Sequence, residues 1–338
     1  GTAAGSTNNI NTAAGDDRID MSSDADITSG AGLTGTTDLI AGDVNLDAGS
    51  GTNRLRISDA ADITGDNISL TRNTGTTTET LTLAGIAGGN IVFLAATGNF
   101  DQGVTIFGGS GGNTITVDGV FAGAPNLIGT GTGDDHLTLT SFTTLDGSLK
   151  IQGQAGNDVL DASAAVKSLI IDGNAGNDAI SGGDANDTLR GGLGTDFIRG
   201  NAGSDTIFGD SSHTIDVYGV DTADVLAPDA GDSDIIVGGA GDDTITAEGG
   251  NDIVFGDEGS VTDTTIVGAD SGADGDDTIT TEDGDDIVIG GLGEDTIHTN
   301  AGDAIVVGGI ATMTRDSGGL TIVGELASES AGGQVRLI

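Results

Sequence analysis

Residues 173–208 read GNAGNDAIS, GGDANDTLR, GGLGTDFIR, GNAGSDTIF, four consecutive nonapeptides whose sixth residues are Asp178, Asp187, Asp196 and Asp205. Glycine favours the first, second and fourth places, Asp holds the sixth and an aliphatic residue the eighth, as in Gly191, Gly192, Gly194, Asp196 and Ile198. Glycine reaches positive φ without steric cost, so six residues can form a tight turn with its carbonyls facing inward. The last three suit a short strand that points Ile198 inward and Phe197 and Arg199 outward.

The pattern continues on the C-terminal side. A second block places Asp234, Asp243 and Asp252 nine residues apart, and a third places Asp277, Asp286 and Asp295, with Ala304 where the next Asp is due. Between blocks the step lengthens to 29 residues (Asp205 to Asp234) and 25 (Asp252 to Asp277), which predicts two long loops. Both loops open on an apolar-Phe-Gly-Asp phrase, at 207–210 and 254–257, and their approaches align at an offset of 47 residues, with 293–309 following at 52. These offsets predict a higher-order repeat.

On the N-terminal side the signal is looser. GDDRIDMSSDADIT from Gly15 matches GTNRLRISDAADIT from Gly51 at an offset of 36, the length of two coils of eighteen. Short alternating strings follow at Leu81, Ile91, Val104, Ile115, Leu137 and Leu169, each bounded by Gly, Asn or Asp, and period-two runs of this kind predict strands. Only 162–167 hints at a helix. Asp135, Asp158 and Asp178 are spaced by 23 and 20 residues, so the regular ladder is expected to grow out of a looser coil in one continuous solenoid.

Two nonapeptides make one coil, and coils stack at the strand spacing of about 4.8 Å, which brings each sixth-place Asp beside its counterpart two units along. Bare carboxylates about 5 Å apart repel by roughly 3 kcal/mol at an effective dielectric near 20. Lys150 and Lys167, the only lysines, are too few to neutralise such a ladder. Carboxylates with turn carbonyls form a flexible, oxygen-only donor set, which suits Ca²⁺ better than Mg²⁺ or zinc. Several Ca²⁺ ions are expected.

Composition narrows the function classes. The 338 residues carry 53 acidic and 10 basic side chains, a formal charge of -43, so a nucleic-acid or anionic-membrane partner has no electrostatic basis. The absence of cysteine removes disulfides, thiolate catalysis and zinc-thiolate sites. Aromatics at 3% predict a thin, aliphatic core. No apolar run is long enough for a membrane span, and the opening at Gly1 is expected of a processed chain or a piece of a longer one.

These nonapeptides resemble the RTX family, the glycine-rich repeats of secreted bacterial toxins, proteases, lipases and adhesins, over 173–208 and 231–307. The resemblance implies a parallel β-roll with Ca²⁺ between the turns of successive coils. Carried over to this chain, it implies ligand pairs Asp178 with Asp196, Asp187 with Asp205, Asp234 with Asp252 and Asp277 with Asp295. Asp243, Asp286 and, on the looser coil, Asp158 join the expected metal ligands. The departures are Ala185 at a fourth place, Ala247 and Glu248 at a first and second place, and Ala304, which removes the partner of Asp286.

The expected fold is therefore all-β, a right-handed parallel β-helix or β-roll solenoid with calcium-binding turns in its C-terminal half. Residues 1–150 are expected as irregular coils, 151–309 as the β-roll with insertions at 209–231 and 256–272, and 310–338 as a degenerate final coil or a junction to further repeats. Asp24, Asp26, Asp59 and Asp62, off the ladder, are read as Asx-turn residues. His136, His213 and His298 are isolated, Tyr218 reads as a packing or contact residue, and Phe208 and Phe255 as anchors of the loop bases. GGSGGNT at Gly108 lacks the Lys and helix of a phosphate loop.

No catalytic residues are expected. The leading expectation is an extracellular, calcium-dependent structural or adhesive protein at a cell surface or in a matrix or filament, folding as the ions bind. Its partners are expected to be Ca²⁺, further copies of itself, or other surface proteins or glycans, without membrane insertion. The alternative is the RTX module of a secreted polysaccharide epimerase or lyase. Such an enzyme would need an aromatic and basic constellation, whereas 1–150 offers Phe93, Phe100, Phe107, Phe121, Phe142, one His, one Lys and four Arg. A third reading makes the repeats a secretion and folding aid for another domain.

Overall fold

The computed structural model describes residues 6–21, 37, 40, 42–60, 62–73, 80–86, 90–94, 100–121, 124–140, 148–209, 212–215, 221–225, 233–262, 265–268, 275–316 and 319–324. Asp24, Asp26, Phe142, Asp210 and Tyr218 lie outside them, and the described elements are all strands. The chain divides into two compact units, Gly1–Ile170 with Thr214–Ala223, and Ile171–His213 with Asp224–Ile338.

In the second unit the last three residues of each nonapeptide are a strand, and alternate strands enter alternate parallel sheets. The first sheet takes Ala179–Ser181, Phe197–Ala202, Ile235–Ala240, Ile253–Phe255, Ile287–Ile289 and Ile305–Val307. The second takes Ile170–Ala175, Thr188–Leu193, Thr206–Phe208, Thr244–Glu248, Thr278–Asp283 and Thr296–Ala301. Register holds across both insertions, with Phe197 opposite Ile235 and Thr244 opposite Thr278. The eighth-place residues Ile180, Leu189, Ile198, Ile207, Ile236, Ile245, Val254, Ile279 and Val288 are all buried. Each such side chain contributes about 2 kcal/mol of burial, and this single file is the thin aliphatic core that the composition predicts.

The two outer faces differ. The seventh and ninth places on the second sheet include Thr206, Thr244, Thr246, Thr278 and Thr280, none of them buried. On the first sheet, from Ile235 onward, the same places are Ile-Val, Ile-Phe, Ile-Ile and Ile-Val. Val237, Phe255, Ile289 and Val307 are buried there, with Val261 and Ile266 packed against them. Those two residues belong to an antiparallel hairpin, Gly259–Thr262 with Thr265–Gly268, inside the second insertion. Arg199 reaches this hairpin's base, its Nη1 standing 2.7 Å from Glu258 Oε2.

Residues 311–316 and 319–324, within the stretch expected as a degenerate final coil or a junction to further repeats, form two strands. Ala311–Asp316 and Gly319–Gly324 pair antiparallel and extend the insertion's hairpin into a four-stranded sheet. Only two residues separate these strands, and a connection that short permits only antiparallel pairing. Ser212–Ile215 and Asp221–Val225, in the first insertion, form a two-stranded sheet of their own.

In the first unit, one sheet stacks Arg18–Met21, Arg54–Ser58, Val104–Phe107, Pro125–Thr132 and Ser148–Ala155 in parallel. The other pairs Thr7–Asn11 with Asp43–Asp47 in the register of the 36-residue repeat, Asn9 opposite Asn45. That sheet is not parallel throughout. Asn67–Asn73, Thr80–Ala84 and Ile91–Leu94 form an antiparallel meander, because the six-residue links between them are too short for a crossover. The helix hinted at 162–167 is a turn closed by the Ala165 amide on the Ala162 carbonyl at 2.8 Å, with Asp161 capping Ser163. Six residues fall well short of a stable isolated helix.

This unit's core is also less purely aliphatic than the composition suggests. Phe93, Phe100 and Phe121 are buried and pack together, with ring centroids 4.9–6.2 Å apart. Arg56 is buried with its Nε 2.7 Å from Asp20 Oδ1. Burial alone would raise the Asp20 carboxyl, but the hydrogen bonds and charges of Arg56 and Arg18 hold it below its ordinary range. Arg56→Ala removes a fully buried side chain and leaves Asp20 to its surface partner Arg18, so it is expected to destabilise this unit by about 2–3 kcal/mol in chemical denaturation.

Candidate metal centre

The nonapeptide turn is shaped by left-handed backbone at its second and fourth places. Gly192 and Gly194 have φ of 115° and 118°, and three second places that are not glycine are left-handed too, Asn174 (80°), Asn201 (79°) and Glu248 (69°), whereas Glu282 and Asn300 are not. The turn containing Ala185 departs at both places, since neither Gly183 nor Ala185 has positive φ. There the Gly183 amide bonds the turn's own Asp187 Oδ2 at 2.7 Å.

These turns stack their sixth-place carboxylates into two columns. In the column that leads into the first sheet, the amides of Asp178, Asp196, Asp234 and Asp252 donate to Oδ1 of Asp196, Asp234, Asp252 and Asp286 at 2.7–3.1 Å. In the other, the amides of Asp187, Asp205, Asp243 and Asp277 donate to Oδ1 of Asp205, Asp243, Asp277 and Asp295 at 2.6–3.1 Å. All four expected pairs are adjacent, and the columns also run unbroken past the insertions, from Asp196 to Asp234 and from Asp243 to Asp277. Ala304 ends the first column after Asp286.

Fifth-place side chains form a complementary ladder that runs the other way. Oδ1 of Asn177, Asp242, Asp276 and Asp285 accepts from the amides of Thr195, Asp276, Glu294 and Asp303 on the following coil at 2.8–3.1 Å. Each turn is thus held from both sides, and in the second column this bonding leaves Oδ2 of Asp205, Asp243, Asp277 and Asp295 for another use.

That oxygen lies beside the first-place glycine. A Cβ built on Gly182 would stand 2.7 Å from Asp187 Oδ2 and 2.7 Å from the carbonyl oxygen of Gly200, the first residue two units on. The same carboxylate-and-carbonyl convergence recurs at Gly200, Gly238 and Gly256. Oδ2 of Asp205, Asp243, Asp277 and Asp295 is buried with no hydrogen-bond partner. A buried anionic oxygen beside a carbonyl, with no donor, is a site for a hard cation, and its oxygen-only donor set fits Ca²⁺. Bound there, the ion would neutralise charge between successive turns.

The first-place residues grade the columns. Beside the second column they are glycine at 182, 200, 238, 256 and 290, whereas beside the first they become Ala247 and Thr281. Thr281 is fully buried and its Oγ1 has no hydrogen-bond partner, which adds an oxygen next to the Asp286 turn that the repeat pattern does not announce. Asp257 is a second oxygen-bearing side chain that the repeat pattern does not announce. It follows Gly256, is buried, accepts from the Leu292 amide at 2.6 Å, and raises the pKa of both Asp243 and Asp277.

The glycine contacts also locate the insertions. Gly209 is the first-place residue for Asp234, and Gly256 for Asp277, so each insertion grows within a turn, between its first glycine and its Asp. The first insertion leads into the first sheet and the second into the second. The 47-residue offset therefore equates Asp205 with Asp252, which stand in different columns, and the expected higher-order repeat is one of phrase and not of position.

In the first unit the same amide-to-side-chain ladder links Asp66 to Asn113, Asn113 to Asp135 and Asp135 to Asp158. Asn113 breaks the run of carboxylates, and the irregular spacing hides the ladder from a nine-residue register. His136 and His298 are exposed on strand faces. His213 lies on a strand whose side chains are not described.

Burial dominates the electrostatics of the columns. It raises Asp205 to about 7, Asp243 to about 8 and Asp277 to about 7, overcoming the amide bond that lowers each, while neighbouring carboxylates raise them further. A carboxyl raised in the folded state stabilises that state fully below its unfolded pKa, near 3.8, and loses this contribution as the pH climbs through 7 to 8. The calcium-free chain is therefore expected to be more stable near pH 5 than near pH 8, and calcium binding near pH 7 to release protons. Denaturation in chelator at the two pH values, with calorimetry in buffers of different ionisation enthalpy, checks both; greater calcium-free stability at the higher pH would contradict this.

A family model described as the RTX calcium-binding nonapeptide repeat, in four copies, matches residues 150–165, 170–198, 181–213, 230–262 and 271–306. A comparison with curated proteins finds no match. Among the described residues, no helix is long and apolar enough to cross a membrane.

Proposed function

We propose that this chain, whose residues 150–306 are RTX calcium-binding repeats, is an extracellular structural or adhesive protein that calcium folds and stiffens. One observation supports this reading: two uninterrupted columns of five aspartates each, buried except for the half-buried Asp295 that ends the second, with Oδ2 of Asp205, Asp243 and Asp277 beside turn carbonyls. Without cations the columns hold charge away from water. With them they become a rigid spine.

The ligands are Asp178, Asp187, Asp196, Asp205, Asp234, Asp243, Asp252, Asp277, Asp286 and Asp295, with Asp158 extending the set on the looser coil. Such sites fill at the high calcium levels outside a cell, so the protein works secreted, at a surface or in a matrix. Its role there is mechanical. The outer side of the hairpin that covers the aliphatic face supplies contact surface.

Scattering and electron microscopy of the full chain test the reading. Calcium is expected to convert an expanded, disordered coil into a stiff particle that associates with itself or with a surface glycan or protein. A chain that is compact and identical with and without calcium would overturn it, and turnover of a polysaccharide would favour the enzyme-module alternative.

A further inference from the structure

We propose that the turn between the strands Arg54–Ser58 and Asn67–Asn73 is a separate calcium site, formed by Asp59, Asp62 and Asp66 and lying outside the nonapeptide repeats. Among the described residues these are the only three carboxylates that each offer an oxygen within 4.8 Å of the others. The aspartates of the columns, by contrast, come one to a turn.

The turn is built to hold this geometry. The Asp62 amide closes it on the Asp59 carbonyl at 2.8 Å, and the Asp62 side chain accepts from the amide and hydroxyl of Thr64 at 2.9 Å. The Asp66 amide is anchored on Asn113 Oδ1 at 3.0 Å, and Gly65 lies so close to the Gly112 carbonyl that a side chain there would collide with it. Asp59 is the independent sign of a ligand. It is 1% exposed, its Oδ1 takes the Thr37 amide, and its Oδ2 is buried with no hydrogen-bond partner.

Three ionised carboxylates at this separation repel by roughly 3 kcal/mol per pair at an effective dielectric near 20. Burial, with Asp66 and Asp62 adding to it, raises the Asp59 carboxyl to about 6, so it is ionised at neutral pH against this cost. A divalent ion among the three carboxylates offsets two of their three charges, and the buried Asp59 Oδ2 is an oxygen left without a donor to meet it. The donors are oxygen only. Asp62 and Asp66 are half-buried, which leaves the remaining coordination to water and favours Ca²⁺ over ions that demand a closed cage. The sequence reading took Asp59 and Asp62 as Asx-turn residues, and Asp62 does make that turn with Thr64 while also facing the cluster.

The test uses the full chain and two measurements. Metal analysis after gel filtration in calcium is expected to find one ion fewer per chain in Asp59→Asn and in Asp62→Asn than in the parent, while Asp184→Asn, an exposed change, keeps the full complement. Crystals of the parent grown with calcium and soaked in terbium are expected to show an anomalous peak within bonding distance of Asp59 Oδ2. Should folded variants keep every ion, or should the crystals show peaks in the repeats and none at this turn, the proposal fails. If a variant does not fold, the crystal alone decides. Either result leaves the repeat columns to be judged on their own.

Discussion

Stripping calcium at neutral pH is expected to abolish the β-sheet circular dichroism of the repeats, and millimolar calcium to restore it cooperatively, while magnesium at the same concentration does not. The reason lies in the columns. Asp205, Asp243 and Asp277 are buried one above another, and their carboxyls favour protonation up to about pH 7 or 8. At neutral pH the calcium-free fold must bury charge or take up protons, and the chain's -43 net charge opposes compaction as well. The core that would resist is a single file of Ile, Leu and Val, and it is small. Each ion that binds only the folded state at 100 times its dissociation constant adds about 2.7 kcal/mol, so several ions exceed the whole stability of an ordinary domain. Calorimetry in chelator and in calcium checks this, and a repeat region that melts at the same temperature in both would contradict the assignment.

Asp243→Asn is expected to act in opposite directions under the two conditions. Moving a carboxyl from 3.8 to about 8 corresponds to on the order of 5 kcal/mol of disfavoured ionisation. An amide of the same shape carries no charge to bury, so the calcium-free variant gains stability by a substantial part of that. Its Oδ1 can still accept the Asp205 amide that Asp243 now takes at 2.6 Å. In calcium the variant loses an anionic ligand from its turn and its melting temperature falls below the parent's. Denaturant midpoints in chelator and in saturating calcium measure both signs. A variant weaker in both, or unchanged in both, would mean that Asp243 is a structural hydrogen-bonder and not a ligand.

The parts of this architecture that a reader of the sequence could find are those with a short period. Asp at every ninth place, glycine at the start and an aliphatic residue at the eighth place reveal the turn, the strand and the pairing of Asp178 with Asp196 without coordinates. Continuity through the insertions is different, because nothing in a 29- or 25-residue step says which column the chain re-enters. Only the contacts of Gly209 and Gly256 answer that. Asp257 reads only as the end of the phrase that opens the second loop, and Thr281 is not among the departures that the repeat pattern marks. The Asp59 cluster was hidden for another reason: in a chain with this many aspartates, three near one another in sequence carry no signal until the turn folds them together. The aliphatic pairs at the seventh and ninth places from Ile235 onward were readable, and they mark the face that the Val261 and Ile266 hairpin covers.

The placement of both insertions after a turn's opening glycine and before its aspartate has a consequence for how such proteins diversify. The ladder bond and the cation site are made by residues on either side of the break, so the chain can depart, build an appendage of any length and return without displacing a neighbouring rung. Ornament and scaffold can then evolve separately: new hairpins grafted at these junctions alter the flank of the repeats while the stacked aspartate columns beneath keep their spacing.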